Sequence, residues 1–326
     1  MAGRILECLL CDKRCRLAPD QRGDCRVRVN LDGKLVSLVY GKVCSTHVDP
    51  VEKKPVFHFL PGTPAFSIAT AGCNLHCTFC QNWEISQLDP EKAHNEDLPP
   101  DRLVAAALAA RCPTVAYTYT DPVVFYEYTL DSCRAARAAG LRNVLVTAGF
   151  IRPEPLAKLV PFVDGANVDI KSMSDRFYRE VCGARLQPVL NGIRAMRQAG
   201  VVVEITNLIV PTLNDEVENL KKLCDWILTQ CGPETPLHFS RFFPMYKLQN
   251  LPRTPARTLR GAYDLARSMG LHYVYVGNAQ AEYGEATACP SCRRTIIERT
   301  GFSLDAYRLK DGKCAFCGAA IYGLWT

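Results

Sequence analysis

The stretch that decides the fold runs from Phe66 to Ser86: FSIATAGCNLHCTFCQNWEIS. It opens as a short apolar run with the character of a buried strand. After Gly72 it becomes a loop carrying Cys73, Cys77 and Cys80 in C-x3-C-x2-C spacing. A closed zinc site takes four ligands, and a catalytic one takes three and keeps an open position, usually with histidine in the set. His76 lies inside the loop, but beside a ligand cysteine it would have to reach backward. A cubane [4Fe–4S] cluster prefers four thiolates. With three, one iron stays open to a small ligand. Zinc, a metal-free thiol cluster and an open iron–sulfur cluster all remain readings of the loop itself.

Outward from this loop, short apolar runs alternate with amphipathic segments. FSIATAG, TVAYTYT, NVLVTAG, ANVDI, VVVEITNLIV, PLHFSRF and HYVYVGN read as strands. DRLVAAALAAR, VVFYEYTLDSCRAARAAG, EPLAKLV, QPVLNGIRAMRQAG, DEVENLKKLCDWILTQ and ARTLRGAYDLARSMG read as helices, several of them ending at glycine. That alternation predicts βα units on a parallel sheet, an α/β chain forming a full or partial (β/α) barrel. Such barrels collect their functional groups where strands end. Here those ends carry the three-cysteine loop, Thr118–Asp121, Thr147, Asp169 with Lys171, Asn207, Arg241 and Asn278. The plain alternative for any one of them is an ordinary loop residue, but their joint placement predicts a single mouth.

Three regions follow: a cysteine-rich module with a hairpin at 1–64, the barrel at 65–287, and a cysteine-rich module at 288–326. Asp32–Gly33 is a two-residue hairpin signal between apolar runs. Composition is that of an ordinary globular protein, with 48% apolar and 22% charged residues. The net charge of +6 is scattered, which argues little for a nucleic-acid partner. No apolar run approaches the length of a membrane span, and no signal peptide is read, so a cytoplasmic protein with no membrane partner is expected. In a reducing compartment, 17 cysteines read as metal ligands before disulfides. Cys289, Cys292, Cys314 and Cys317 form two C-x2-C pairs with a zinc-ribbon spacer. Iron is the alternative there. Cys8, Cys11, Cys15 and Cys25 form a second candidate metal site, with zinc as the first expectation, an iron–sulfur cluster next, and no metal as the remainder.

With the loop on the first barrel strand, and Phe79 before its last cysteine, the chain resembles the radical S-adenosylmethionine (SAM) enzymes. GCNLHCTFCQNWEISQ, YTYTDPVVFYEY, NVDIK and HFSRFFPMYKLQNLP are similar to pyruvate formate-lyase activating enzyme-like members, most of all the radical SAM component of the AmmeMemoRadiSam system. The resemblance implies a [4Fe–4S] cluster on Cys73, Cys77 and Cys80. SAM would bind the open iron and be split by one electron into methionine and a 5′-deoxyadenosyl radical that abstracts hydrogen. It implies an external donor of flavodoxin or ferredoxin type, and a substrate that is either a glycine of a partner protein, as for a glycyl-radical activase, or a small molecule, a different protein or RNA. Phe79 would lie near the adenine. A GGE motif usually meets SAM's amino group, but this chain has Thr118-Tyr119-Thr120-Asp121-Pro122 there. Thr118, Thr120 and Asp121 are the replacements to weigh, although Asp121 would also suit the N-cap of the next helix. Asp169 and Lys171 would lie on one side of their strand and meet SAM. Asn278 would meet adenine or ribose, and His238 and Arg241 are substrate-side candidates. Gln81–Glu84 would either bond cluster sulfides or cap the loop. The competing functions are a zinc-rich nucleic-acid-binding or scaffold protein and a plain iron–sulfur electron carrier.

Overall fold

The computed structural model describes residues 4–279 and 283–326. Strands β1 (Arg28–Leu31) and β2 (Lys34–Ser37) form the expected hairpin. Asp32 and Gly33 both adopt positive φ (49° and 72°), as a two-residue turn between twisted strands requires. The main sheet follows. It comprises β3 (Ser45–Pro50), β4 (Pro64–Ala69), β5 (Thr114–Tyr117), β6 (Arg142–Thr147), β7 (Gly165–Asp169), β8 (Val202–Ile209), β9 (Leu237–Arg241) and β10 (Val274–Gly277).

Each strand pairs with its neighbours in chain order. All pairings are parallel except β3–β4, which is antiparallel. The parallel strands are nearly continuous apolar runs because helices cover their outer face. Those helices are α1 (Pro100–Ala109), α2 (Tyr126–Ala138), α3 (Pro153–Leu159), α4 (Leu186–Gln198), α5 (Val217–Gln230) and α6 (Ala256–Ser268). Gly140, Gly200 and Gly270 take positive φ just past three of the helix ends. Among the described residues β3 and β10 do not pair, so the barrel is partial. β3 lies within the region expected to be a separate N-terminal module, and the boundary drawn at 64/65 crosses its pairing with β4.

Residues 51–60 plug the barrel where its strands begin. Phe59 is fully buried against Val144 and Val202. A Cβ on Gly165 would fall 2.7 Å from its ring, so only glycine lets β7 pass this close. The C-terminal module holds the plug from the other side. Leu60 N donates to Leu324 O at 2.8 Å, Leu324 N to His58 O at 2.8 Å, and Arg299 to Phe57 O at 2.7 Å. That module carries a small antiparallel sheet of β11 (Thr287–Ala288), β12 (Thr295–Thr300) and β13 (Ser303–Tyr307). No helix is long and apolar enough to cross a membrane among the described residues.

Two measurements follow from the plug. Phe59→Ala should lower unfolding stability by about 3–5 kcal/mol, read from the urea midpoint. His58 sits beside Phe59, with Nε2 2.7 Å from the Tyr275 hydroxyl and Nδ1 2.6 Å from Tyr322 O. Burial holds its pKa down to about 4, from the ordinary 6.5. Between those values the unfolded chain takes a proton that the folded chain refuses. Its contribution is therefore complete above pH 6.5 and is lost as pH falls toward 4, a change of about 3 kcal/mol. Urea titrations across that window should show the loss, with a flatter dependence in His58→Gln.

Candidate active site

Most of the strand ends named from the sequence meet at one cavity, but Asn207 and Arg241 do not line it. A cavity of about 470 Å³ opens at the C-terminal ends of the parallel strands. Cys73, Cys77 and Cys80 line it, together with Thr118, Thr120, Asp121, Asp169 and Lys171. Gly72 gives the loop its direction, with φ +93°. Gly72 N donates to Ile85 O at 2.9 Å, and His76 N and Thr78 N donate to Cys182 O and Val181 O at 2.7 and 3.0 Å. Those last two carbonyls belong to a π-helical turn, Tyr178–Cys182, a form found often at functional sites. His76 is not free to bind a metal. Its Nδ1 lies 2.7 Å from Gln87 Oε1 and its Nε2 lies 2.8 Å from Asp24 Oδ2.

Lys171 Nζ lies 2.7 Å from Asp169 Oδ2, so the D-x-K pair does share one side. Burial works against the Lys171 ammonium, but Asp169 and the nearby Cys77 sulfur more than offset it and hold the pKa above its usual value. Asp121 is raised by its own burial. It is not the N-cap expected of it. Helix α2 starts at Tyr126, and residues 121–124 form a turn in which Val124 N donates to Asp121 O at 3.0 Å. The Asp121 carboxylate accepts instead from Val123 N (3.0 Å), Ala148 N (2.8 Å) and Thr147 Oγ1 (3.0 Å). The carboxylate closes a turn, and the helix begins one turn later than the N-cap expectation placed it.

Phe79 is buried, lines the cavity and packs on Phe177. Asn278 lines the opposite wall, held by Nδ2 on Ser240 Oγ at 2.9 Å. His238 also lines the cavity, 2.6 Å from Glu204 Oε2 and stacked on Tyr275. Burial opposes the Glu204 charge, but His238 and His58 hold its carboxyl below the usual range. Arg241 is different. Its Nε donates to Thr254 O at 2.8 Å and it does not line the cavity. Position at a strand exit suggested the mouth, but a long side chain is free to turn to a nearer acceptor. Asn207 likewise turns inward to Ile170 O at 2.7 Å. Asn82 supports the loop by donating to Tyr119 O at 2.7 Å.

Two groups went unread in the sequence. Lys54 is 2% exposed and lines the cavity, with Asp49 Oδ2 at 2.5 Å and the Tyr119 hydroxyl at 3.2 Å. Burial lowers its pKa. In EKKP it looks like a solvated loop lysine, and only the apolar run behind it hinted at burial. Cys182 stands alone in the sequence, far from the clustered cysteines. Its thiol meets Cys77, whose pKa that hydrogen bond lowers against burial.

Sulfur spacing separates the metal chemistries. Cys289, Cys292, Cys314 and Cys317 have all four sulfurs within 4.8 Å of one another, with two pairs at 3.6 and 3.8 Å. Zn–S bonds of about 2.3 Å place tetrahedral thiolates about 3.8 Å apart, so this quartet suits one tetrahedral ion. Cys73, Cys77 and Cys80 are not drawn together in that way among the described residues. Thiolates on separate irons of a cluster lie farther apart than thiolates on one ion. The loop, with a roomy polar cavity on its free side, fits a [4Fe–4S] cluster with one iron left for another ligand.

The Radical SAM superfamily model matches residues 67–226. The chain belongs to the radical SAM superfamily. Enzymes of this superfamily use a [4Fe–4S] cluster and SAM to generate radicals. The chain is 44% identical over 318 residues to an uncharacterized protein of Methanocaldococcus jannaschii, covering 97% of this chain and 95% of that one. It is 25% identical over 162 residues to the pyruvate formate-lyase-activating enzyme of Clostridium pasteurianum, covering 48% of this radical SAM chain and 66% of that protein. Streptococcus suis SuiB bound to S-adenosylmethionine shares the fold, with TM-score 0.53 and 11% identity, over 74% of this chain and 56% of the other.

Gly72 also sets a limit on substitution. A Cβ there would lie 2.4 Å from Val27 Cγ1 and 2.7 Å from Cys25 O. Gly72→Ala should push the N-terminal segment off the loop and cost about 1–3 kcal/mol or more from strain and overpacking. Thermal unfolding and iron content after reconstitution should both fall.

Proposed function

We propose that this radical SAM protein holds its cluster on Cys73, Cys77 and Cys80, and that SAM occupies the cavity beside them. The observation that carries this is three loop thiols lining one 470 Å³ cavity together with a paired lysine and carboxylate. When bound, the cluster and SAM supply a 5′-deoxyadenosyl radical that takes hydrogen from a substrate.

The chain's own residues bind and orient. Lys171, kept charged by Asp169, meets a carboxylate. Asp121 is occupied by its own turn, and Thr120 donates to Thr70 O at 2.9 Å. Thr118 has no such hydrogen bond among the described residues and takes the ammonium-binding place of the absent GGE motif. Phe79 and Asn278 bound the adenosine. His238, fixed by Glu204, and Lys54 face the substrate, while Arg241 is left out. Burial keeps water from the reacting groups. An external donor of flavodoxin or ferredoxin type supplies the electron. Similarity to an activating enzyme supports a protein glycine as the hydrogen source. The C-terminal quartet holds a structural zinc, and residues 288–326 serve as a module that clasps a barrel including β3 and the plug.

Anaerobically reconstituted protein given SAM and dithionite should release 5′-deoxyadenosine. Cluster-loaded protein that releases none, or whose electron paramagnetic resonance spectrum SAM leaves unmoved, returns the centre to a plain electron carrier. Cys73→Ala, Cys77→Ala and Cys80→Ala should each abolish release. Lys171→Ala should raise the apparent KM for SAM about 10-fold or more, since a hydrogen bond to a charged group contributes about 1.5–3 kcal/mol. Cys182→Ala should keep the cluster and its response to SAM.

A further inference from the structure

The four N-terminal cysteines surround one cavity. A two-residue antiparallel pairing, Leu6–Glu7 with Arg16–Leu17, brings Cys8 and Cys15 side by side, and Cys8 N donates to Cys15 O at 2.9 Å. Arg14, at φ +48°, turns the chain back on Cys11. A second turn, from Gly23 to Arg26, presents Cys25. A Cβ on Gly23 would lie 3.8 Å from both Cys15 Sγ and Cys25 Sγ, so the turn packs directly under the two sulfurs. All four cysteines line the cavity, and so do Lys13 and Arg28. Lys13 is paired with Asp24 at 2.6 Å and Arg28 with Glu127 at 2.5 Å, so each cation at the cavity also has a carboxylate partner.

The quartet encircles a space but does not close on a point. Among the described residues only the C-terminal quartet has its sulfurs within 4.8 Å of one another. One tetrahedral ion would draw thiolates to about 3.8 Å. Neither the N-terminal sulfurs nor those of the Cys73 loop close to that span among the described residues, and the N-terminal ones number four where that loop has three. A [4Fe–4S] core takes one thiolate on each iron.

The two groups are also back to back. Asn74, the residue after Cys73, lines the N-terminal cavity. Asp24, the residue before Cys25, meets His76 of the loop at 2.8 Å. Gly72 is bare where Cys25 and Val27 press on it. Residues 72–76, which carry the first cysteine of the loop, thus touch the N-terminal cysteine segment directly.

We propose that Cys8, Cys11, Cys15 and Cys25 hold a [4Fe–4S] cluster whose irons are all ligated by the protein, and that it relays electrons to the centre at Cys73, Cys77 and Cys80. With no open iron it binds no substrate, and electron transfer is the chemistry left to it. A reduced flavodoxin or ferredoxin gives up one electron and is oxidised by one. The N-terminal cluster gains that electron and passes it on, returning to its starting state, with no bond made or broken. The relay rests on the radical SAM reading, whereas the cluster itself does not.

Acid-labile sulfide tests the site without reference to activity, because neither zinc nor a lone iron carries any. The triple variant Cys73→Ala/Cys77→Ala/Cys80→Ala, reconstituted with iron and sulfide, should retain about four sulfides per chain, against about eight in the intact protein. A folded triple variant without sulfide overturns the proposal. The quadruple variant Cys8→Ser/Cys11→Ser/Cys15→Ser/Cys25→Ser gives an independent reading if the triple variant fails to fold. Its sulfide should be half that of the intact protein, and an undiminished value overturns the site. For the relay, the quadruple variant should release 5′-deoxyadenosine with dithionite but lose release driven by reduced flavodoxin. Equal loss with both reductants, or loss with neither, overturns the relay while leaving the sulfide count to stand by itself.

Discussion

A curled parallel sheet whose end strands stay unpaired must have its interior filled by something other than its own strands. Here the filling is the chain just before the first parallel strand. Phe57, His58 and Phe59 enter where the strands begin, and Glu204 accepts from His58 N at 2.7 Å. With that end packed, the open volume is confined to the other end. Polar side chains at strand termini then face one another across a cavity, and their charges act on each other without bulk water between them. The Asp169–Lys171 pair and the enclosed Asp121 depend on that division between a filled end and an open one.

The metal chemistry is sorted by a simple length. Seventeen cysteines would suggest one theme repeated through the chain. Sulfur geometry divides the clustered ones. One quartet closes to the span of a single tetrahedral ion, and two groups stay open. The closed quartet belongs to the module that pins the barrel plug, where a rigid knot is useful. The open groups lie at the loop after β4 and immediately behind it. Spacing in the sequence distinguished the closed quartet, with its two C-x2-C pairs, but gave no measure of the other sulfurs' separation.

The seven parallel strands were legible because burial on both faces writes them as apolar runs. β3 was not. Its sequence, STHVDP, is an edge strand with several exposed side chains and a proline, and it gains its place only from antiparallel pairing with β4. The site was legible in the same measure. Cysteine and the D-x-K pair announce themselves by type and spacing. Lys54 does not, since nothing local reveals that Asp49 and Tyr119 enclose it. Arg241 misled for the converse reason: backbone position was right, and the guanidinium went elsewhere. Asp121 misled by one helical turn, since an aspartate–proline pair opens a turn as readily as a helix.

The contact between His58 Nδ1 and Tyr322 O joins residues 264 apart in the chain. In synthesis from the N-terminus, the plug emerges before every parallel strand, and the residues that clasp it emerge after all of them. The growing chain therefore makes its whole sheet before the plug can be held in place. Both iron–sulfur candidate sites lie within the first 80 residues and exist as sequence long before that clasp does. The clasp therefore fixes the filled end of the barrel only once the sheet is complete, and it leaves the cavity at the other end, beside Cys73, Cys77 and Cys80, accessible to metal brought to the folded chain.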